Sequence, residues 1–434
     1  MIREEFTLAP QDAANPRLAA TRIVARWLET GDFPDRMLDA VVRGRAAVIE
    51  IVFGTVKWRR ELEWILNRYA RHTPDVLVQA ALLTALYQTF HMESSAGYAV
   101  VNETVNLLKA AGANQRVANF ANAILRQVAR ERGAIPKLLA DQPLGVRMSH
   151  PDLLVQRWQV RWGEHRTYKL CAWNNGRPDL VIRVFLSRIA LDAFIRMLTA
   201  AKVAATPHPY APDRFLVLED GGDVRRLPGY DNGYFTVQDP STFEAIRLLN
   251  PQPGERILDA CAAPGGKSMA IAELMEGMGS LVAMDRHTDR LERLGQNAAR
   301  MGFPAISVVK GDLNDPDCAK ICGERFDRIL LDVPCSNTGV LRRRSDARWR
   351  FSPERLTALI KTQRAMLSHG ARLLKPGGFI SYSTCSLEPD EGQTMVQEWL
   401  RHHTEFNLVR QIELFPPDSH TDGIYAALLK HTPA

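Results

Sequence analysis

Two cysteines and one carboxylate stand where apolar, strand-like runs of the sequence end. Asp332 and Cys335 follow one run in the segment LLDVPCSNTG, and Cys385 follows another in the segment SYSTCSLEPDEG. Free cysteine is often an inert core residue. Here, however, Pro334 precedes one thiol and polar residues flank the other, so both are predicted at strand-to-loop junctions, where chemistry concentrates. We therefore expect all three side chains to be functional.

A second segment, ILDACAAPGGKS, predicts a ligand-binding loop at the end of another strand. Gly265 and Gly266 allow a tight turn and a close approach of the backbone to a ligand. Asp285 ends the next strand about 20 residues later, where a carboxylate can accept hydrogen bonds from both hydroxyls of a ribose. Asp312 follows the third strand, where it can reach the exocyclic amine of an adenine. Together these positions predict a nucleoside site.

The same loop resembles the phosphate loop of nucleoside triphosphatases, because Gly266-Lys267-Ser268 matches the end of the GxxxxGK[ST] pattern. Cys261, however, stands where that pattern requires its first glycine. Pro264 also removes a backbone N–H from a loop that would have to cradle phosphates with N–H groups. S-adenosylmethionine carries no phosphate, so we favour it over a nucleoside triphosphate as the ligand.

A thiol beside a methyl donor has a specific chemical use. Carbon-5 of cytosine is too weak a nucleophile to attack a sulfonium methyl group, but a thiolate added to carbon-6 makes the ring enamine-like. Asp332 can hydrogen-bond to N3 or protonate it as charge develops on the ring. A base must then remove the carbon-5 proton before the thiol leaves, and a second cysteine is well placed to assist that release. The residues therefore predict methylation of cytosine at carbon-5.

Length and composition limit the classes of protein that the chain can represent. The 434 residues exceed what one hydrophobic core usually organises, which predicts two or three domains, and the net charge of +6 fits a polyanionic partner. The six cysteines lack the spacing of a disulfide scaffold or zinc site, so we expect reduced thiols and no metal, with Cys318 and Cys322 as a buried pair. With neither a run of ~20 apolar residues nor a signal peptide, the predicted location is the cytoplasm, without membrane contact.

The apolar pattern changes twice along the chain. Residues 17–132 show helical spacing with turn signals at 30–32, 73–75 and 112–114, which predicts a helical domain over 1–140. Residues 141–232 predict a connecting helix after His150, itself a packing or helix-entry residue, and then a small α/β module. The elements predicted for this module are a strand at Asp179–Phe185, a helix at Leu191–Ala201 and a strand at Phe215–Leu218.

From Gly233 to the end, strands alternate with amphipathic helices, which predicts a parallel sheet with helices on both faces. In such a sheet, ligands lie beyond the carboxyl ends of the strands. The predicted strands are Arg256–Ala260, Leu281–Asp285, Ile306–Lys310, Arg328–Asp332, Phe379–Ser383 and Ile424–Leu429.

At these residues the chain resembles the Sun family of RNA (cytosine-5) methyltransferases, specifically the bacterial 16S ribosomal RNA methyltransferase B group. The resemblance covers nearly the whole chain and rests on the segments GYFTVQDPS, CAAPGGKS, DVPCSNTG, YSTCS and DGIYAALL. It implies an all-α domain similar to the antitermination factor NusB over 1–140, which selects RNA, and a small α/β middle module over 141–232. A Rossmann-like α/β class I methyltransferase domain is implied over 233–434.

The resemblance also implies roles for individual residues. Cys385 is implied as the nucleophile and Cys335 as the thiol that aids product release. The sequence departs from the usual PCSGTG at Asn337 and from RRxPD at Ser345. Asn tolerates left-handed backbone better than most non-glycine residues, so Asn337 is compatible with activity. The residues implied to contact S-adenosylmethionine are Cys261, Ala262, Ala263, Pro264, Gly265, Gly266, Lys267, Asp285, Asp312 and Asp332.

A cluster of arginines interleaved with Trp349 follows the loop of Cys335. Its position beside the thiols predicts contacts with RNA phosphates next to a flipped base, whereas a solvated charged loop is the alternative. The predicted substrate is small-subunit ribosomal RNA, methylated by a monomer. Two alternatives are a tRNA (cytosine-5) methyltransferase and a non-catalytic RNA-binding assembly factor. The arginines of the cluster are Arg342, Arg343, Arg344, Arg348 and Arg350.

Overall fold

The computed structural model describes residues 7–9, 15–38, 41, 44–92, 97–219, 222–315, 318, 323 and 325–432. Cys322 lies outside the described residues, and with it the predicted pair with Cys318. The described residues form two compact units. The helical unit contains those up to Asn175 together with Arg344–Arg350, and the sheet unit contains Gly176–Arg343 and the residues from Phe351 onward. The predicted domain boundaries after residues 140 and 232 stay predictions.

The helical unit is built from helices whose ends follow the predicted turn signals. Gly31 ends the first helix in the left-handed conformation, with φ of 68°, and Asp75 and Asn114 cap the starts of two others by accepting backbone N–H bonds. No described helix is long and apolar enough to cross a membrane. The helices are α1 Pro16–Thr30, α2 Pro34–Met37, α3 Arg45–Tyr69, α4 Val76–His91, α5 Gly97–Ala110, α6 Gln115–Glu131, α7 Ile135–Ala140, α8 Leu144–Arg147 and α9 Asp152–Asn175.

The sheet unit begins with a four-stranded antiparallel sheet in the order β2-β3-β1-β4. Its strands β1 and β3 and its helix α10 were predicted. The short edge strand β2 was not, and Pro207 within it is tolerated only at an edge. Strand β4 was not predicted either, and it pairs with β1. The elements are β1 Leu180–Val184, α10 Leu191–Ala200, β2 Ala205–Pro207, β3 Phe215–Leu218 and β4 Phe235–Val237.

A seven-stranded sheet in the order β10-β11-β9-β8-β5-β6-β7 forms the rest of the sheet unit. Its strands are β5 Arg256–Asp259, β6 Ser280–Asp285, β7 Ser307–Lys310, β8 Phe326–Asp332, β9 Leu374–Thr384, β10 Phe406–Leu414 and β11 Ile424–His431. Its helices are α11 Ser241–Leu249, α12 Gly266–Leu274, α13 Thr288–Met301, α14 Pro353–Arg372, α15 Gln393–Arg401 and α16 Pro416–Ser419.

The prediction of a wholly parallel sheet is wrong at one edge. Strands β5 to β9 are parallel to one another, but β11 runs antiparallel to both β9 and β10. The connection between β10 and β11 is shorter than the dozen or so residues that a parallel crossover requires. The two strands therefore pair as an antiparallel ribbon.

Alternating side chains of the central strands pack into two buried clusters, one on each face of the sheet. Leu258 and Ile329 belong to one cluster, and their chain neighbours Ile257 and Leu330 belong to the other. Because β5, β6, β7, β8 and β9 are parallel, the residues that follow them emerge at one common edge, the one formed by the carboxyl ends of these strands. That edge receives the ligand loop, the carboxylates and both thiols.

Candidate active site

The ligand loop leads from the end of β5 into helix α12. Gly265 has φ of 106°, and a Cβ atom there would lie 2.9 Å from both the Leu294 and Met269 side chains, so glycine is required. Ser268, in the first turn of the helix, donates a hydrogen bond of 2.7 Å to Asp259 Oδ2 and ties the helix to the strand. Burial raises the pKa of Asp259 to about 6, although the bond from Ser268 opposes this shift.

Two carboxylates follow the next strands at the same edge. Asp285 Oδ1 accepts a bond of 2.9 Å from the backbone N–H of His287, and its Oδ2 lies 3.3 Å from the backbone nitrogen of Ala263 in the ligand loop. Asp312 Oδ1 accepts a bond of 2.9 Å from the backbone N–H of Asn314. Each carboxylate has lone pairs beyond these bonds, which suit the hydroxyl and amine donors of a nucleoside. The same negative charges disfavour a phosphate ligand.

Lys267 connects the ligand loop to the end of β8. Its Nζ lies 2.6 Å from Asp332 Oδ2, and Ser383 Oγ donates a bond of 2.9 Å to Asp332 Oδ1. Burial disfavours the ammonium, but the ion pair with Asp332 outweighs burial and raises the pKa of Lys267. The lysine is therefore paired with a carboxylate, unlike the lysine of a phosphate loop. Ser383 was not predicted, because its role depends on its register opposite Asp332 in β9.

The structure brings the two cysteines together. Cys335 Sγ and Cys385 Sγ lie 3.1 Å apart, where the segments after β8 and β9 meet. The pKa of Cys385 is raised well above its ordinary value by the hydrogen bond with Cys335, by burial and by the charge of Asp332, whereas Lys267 lowers it. The protonation of Cys385 is therefore affected by the neighbouring thiol, carboxylate and lysine.

Asn337, where the sequence departs from the usual glycine, touches both cysteines. Its φ of 63° is left-handed, a conformation that Asn tolerates better than most non-glycine residues. Its Nδ2 donates to the carbonyl of Cys335 at 3.0 Å, and its Oδ1 accepts from Cys385 Sγ at 3.3 Å. The departure thus places a polar side chain beside the thiols.

The side chain of Glu391 holds the loop of Cys335 in place and was not predicted from the sequence. This buried carboxylate accepts bonds of 2.9 Å from the backbone N–H of Ser336 and from Gln363 Nε2. Gln363 also donates to the carbonyl of Pro334 at 2.9 Å. The sequence signal was the acidic pair Asp390-Glu391 after YSTCS. Its contact with the loop of Cys335 does not follow from a single sequence.

Cys261, the third thiol at this edge, has a different environment. Burial and the charges of Asp332, Asp259 and Asp285 raise its pKa well above the ordinary value. Cys261 is therefore held as a neutral thiol within the ligand loop. Its position in the ligand loop fits the predicted contact with a ligand.

Arg342 and Arg343, predicted to contact RNA, form ion pairs within the sheet unit. Arg342 Nη1 lies 3.0 Å from Asp179 Oδ2. Arg343 lies between two buried carboxylates, at 2.9 Å from Asp422 Oδ2 and 3.1 Å from Asp239 Oδ2. Both guanidinium groups are thus occupied by contacts within the protein.

Arg344 and Arg348 differ sharply within the helical unit. Arg344 is exposed, as a phosphate contact requires. Arg348 is completely buried and donates to the carbonyl of Ser149 at 3.0 Å and to Asn175 Oδ1 at 2.9 Å. Trp349 Nε1 donates to the carbonyl of Val56 at 2.7 Å. The guanidinium of Arg348 is therefore a packing group that RNA does not reach. The charge pattern predicted an exposed arginine, but the local contacts bury it.

Comparisons with known families agree with this architecture. The family model described as 16S rRNA methyltransferase RsmB/F matches residues 246–430. The NusB family model matches residues 14–130, and a ferredoxin-like domain described for RsmF/B-like methyltransferases matches residues 150–225. The seven-stranded sheet with its loop, carboxylates and thiols at one edge is therefore that of a methyltransferase.

Curated relatives extend over almost the whole chain. The chain is 34% identical to the ribosomal RNA small subunit methyltransferase B of Sodalis glossinidius, covering 97% of this chain and 99% of that protein. It is 33% identical to the protein of that name from Pseudomonas putida, covering 89% of each. A crystal structure of a methyltransferase homolog protein from Pyrococcus horikoshii is 25% identical, with a TM-score of 0.59 over 66% of this chain and 97% of that chain. The chain belongs to the RsmB/F family of ribosomal RNA methyltransferases.

Methyltransferases of this family take the methyl group from S-adenosylmethionine, and the residues of the ligand loop fit that group. Asp285 and Asp312 offer acceptors for hydroxyl and amine donors, and the glycine turn opens the backbone to a ligand. The carboxylates at this edge also suit the positive charge of a sulfonium and an ammonium. The individual ligand contacts remain predictions.

Proposed function

We propose that the protein methylates carbon-5 of a cytosine in small-subunit ribosomal RNA through a covalent bond between Cys385 and carbon-6. The proposal is supported chiefly by the pair of sulfur atoms, 3.1 Å apart, at the strand ends that also carry Asp332. Cys385 is taken as the nucleophile from the resemblance of YSTCS to the family motif, and Lys267 partly offsets the rise in the pKa of that thiol and so favours its thiolate. S-adenosylmethionine supplies the methyl group.

In the first step, the thiolate of Cys385 adds to carbon-6 of the cytosine. The electron pair of the 5,6 double bond moves toward carbon-5, which becomes nucleophilic enough to accept a methyl group. The developing negative charge on the ring is neutralised by a proton or hydrogen bond at N3. This chemistry requires a donor next to the ring.

Asp332 supplies that donor. As a carboxylate, Asp332 accepts a hydrogen bond and can hold the exocyclic amine of cytosine. To donate to N3 it must first take up a proton from solvent, because the ion pair raises the pKa of Lys267 and keeps the proton on Nζ, 2.6 Å from Oδ2. Ser383 donates to the other oxygen and so orients the carboxylate. Asp332 therefore performs the predicted general-acid task, with Lys267 and Ser383 holding it in place.

Cys335 serves the last step. After methylation a base takes the proton from carbon-5, the electron pair restores the double bond, and the carbon–sulfur bond to Cys385 breaks. The sulfur of Cys335 is beside the departing sulfur, where its thiolate can act as that base. The thiol formed by taking up the carbon-5 proton can then hydrogen-bond to the leaving thiolate. Loss of Cys335 then slows release rather than attack.

The choice of RNA is proposed from the relatives and from the helical unit. The relatives are named as methyltransferases of the ribosomal small subunit, and a NusB-family match covers most of the helical unit. We assign RNA selection to this unit, with Arg344 as an exposed phosphate contact. The two alternatives, a transfer RNA substrate and a non-catalytic assembly role, make different predictions.

The test measures 5-methylcytidine after incubation with labelled S-adenosylmethionine and unmodified small-subunit RNA, with transfer RNA in a parallel reaction. Wild type and Cys171→Ala, which removes a buried thiol of the helical unit, should methylate small-subunit RNA. Cys385→Ala should be inactive. Label in transfer RNA alone would favour the first alternative, and no transfer by wild type to either RNA would favour the assembly role. Full transfer by Cys385→Ala would overturn the proposed nucleophile.

A further inference from the structure

Arg343 occupies a site between two acidic side chains that are almost fully buried. The side chains of Asp239 and Asp422 are 6% and 8% exposed, and each lies within 3.1 Å of the guanidinium. Burial and the charge of Asp239 raise the pKa of Asp422, while Arg343 opposes the shift. Two neighbouring buried carboxylates are costly without a shared cation. Arg343 thus holds together two acids that would otherwise repel each other.

These acids also hold main-chain segments that lead to the nucleophile. Asp239 Oδ1 accepts a bond of 3.0 Å from the backbone N–H of Asp422. The next residue, Gly423, donates its N–H to the carbonyl of Gly339 at 2.8 Å, and Gly339 donates its own to the carbonyl of Cys385 at 2.9 Å. A continuous series of hydrogen bonds therefore joins the Arg343 ion pairs to the peptide of Cys385.

The segments in this series approach one another more closely than side chains permit. A Cβ atom on Gly339 would lie 2.7 Å from the carbonyl oxygen of Cys385 and 2.8 Å from that of Gly423. Because backbone contacts backbone here, a shift of the 421–423 segment would be transmitted to Gly339 with little side-chain flexibility to absorb it. The position of Cys385 consequently depends on where the clamped acids hold Gly423.

We propose that Arg343, Asp239 and Asp422 form a positioning clamp that orients Cys385 for attack on the base. The three side chains act through Gly423 and Gly339 and need not touch RNA. The clamp rests on the proposed role of Cys385 as nucleophile. It gives Arg343 a task within the protein, in place of the phosphate contact that its position in the arginine cluster predicted.

The first test compares the kinetics of Arg343→Ala and Arg343→Lys with wild type. Misplacing a nucleophile slows chemistry more than binding, so Arg343→Ala should lower kcat at least about tenfold with KM for RNA within about twofold. Lysine keeps the positive charge but cannot contact both carboxylates as a guanidinium does, so Arg343→Lys should restore part of kcat. A raised KM for RNA with unchanged kcat, and a reduced salt dependence of RNA binding, would instead make Arg343 a phosphate contact and overturn the clamp.

A matched control separates positioning from general stability. Arg328, in the first half of β8, forms a partly buried ion pair with Glu255, 2.7 Å between Nε and Oε2. Arg328→Ala should lower thermal stability without the specific fall in kcat. Asp422→Asn, which keeps the shape of the side chain but removes its charge, should lower kcat in the same direction as Arg343→Ala. Equal kinetic effects of Arg328→Ala and Arg343→Ala would contradict a positioning role.

A second readout does not depend on methyl transfer. The rate at which iodoacetamide alkylates Cys385, followed by peptide mass spectrometry, should change in Arg343→Ala and Asp422→Asn and match wild type in Arg328→Ala. If wild type forms no 5-methylcytidine but alkylation responds in this way, the proposed function fails and the clamp stands as a structural device. Unchanged alkylation in Arg343→Ala, with unchanged kcat, would eliminate the clamp.

Discussion

The hydrogen bond with Cys335, whose sulfur lies 3.1 Å away, is the largest cause of the raised pKa of Cys385, so the thiolate is a minor species near neutral pH. The attacking form therefore increases as pH rises. Lys267 opposes this effect by favouring the thiolate. The reactivity of the nucleophile thus depends on side chains from two other segments of the chain.

We predict that Cys335→Ala lowers the pKa of Cys385 and moves the alkylation of Cys385 by iodoacetamide to lower pH. In wild type the alkylation rate should rise about tenfold per pH unit below the pKa, because it follows the thiolate fraction. The measurement is the pH dependence of alkylation, with Cys171→Ala as a control that leaves the profile unchanged. Identical profiles for Cys335→Ala and wild type would show that the two thiols are not coupled.

Most strands were predicted from the sequence, whereas one edge strand and several side-chain partners of the site were not. Apolar runs and strand-end residues identified β5, β6, β8, β9 and β11, which are mostly buried, and also β7, whose side chains are mostly exposed. Strand β10 is likewise mostly exposed at the sheet edge, and its apolar residues are interrupted by Arg410 and Gln411, so no strand was predicted there. The rule for parallel sheets predicted that the loop, carboxylates and thiols share an edge. Their partners, such as Ser383 and Glu391, follow from strand register and loop contacts, which a single sequence does not specify.

Glu391 supports the loop of Cys335 through its bond to the neighbouring Ser336. We predict that Glu391→Ala destabilises the protein by about 3 kcal/mol, because it leaves the buried donors of Ser336 and Gln363 without an acceptor. Urea unfolding measures the change. Glu398→Ala removes an exposed partner of Arg364 and should cost less than about 1 kcal/mol. Equal losses for the two variants would contradict the anchoring role of Glu391.

In the whole molecule, the arginine cluster is divided between the sheet unit and the helical unit. Residues up to Arg343 belong to the sheet unit, and Arg344–Arg350 belong to the helical unit, where Arg348 and Trp349 bond to backbone carbonyls. One basic segment of the sequence therefore supplies a clamp, a packing group and an exposed charge. Charge pattern alone predicted a single RNA-binding role, because burial cannot be inferred from spacing.

We predict that Arg344→Ala weakens RNA binding and reduces the salt slope of log affinity by about one, because one phosphate contact is lost. Arg348→Ala should leave that slope unchanged and lower the stability to urea by about 3 kcal/mol, because buried carbonyls lose their donor. RNA affinity at several salt concentrations measures the first effect and urea unfolding the second. An unchanged slope in Arg344→Ala would remove its role in RNA binding.

The proposed mechanism depends on a transient bond between the sulfur of Cys385 and carbon-6 of a cytosine. This bond is measured in Cys335→Ala, in which release is slowed, by incubating the variant with small-subunit RNA and S-adenosylmethionine, digesting it and analysing it by mass spectrometry. A peptide containing Cys385 should carry one methylated cytidine nucleotide. The same nucleotide attached to another residue, or methylated RNA formed without any adduct in this variant, would contradict it.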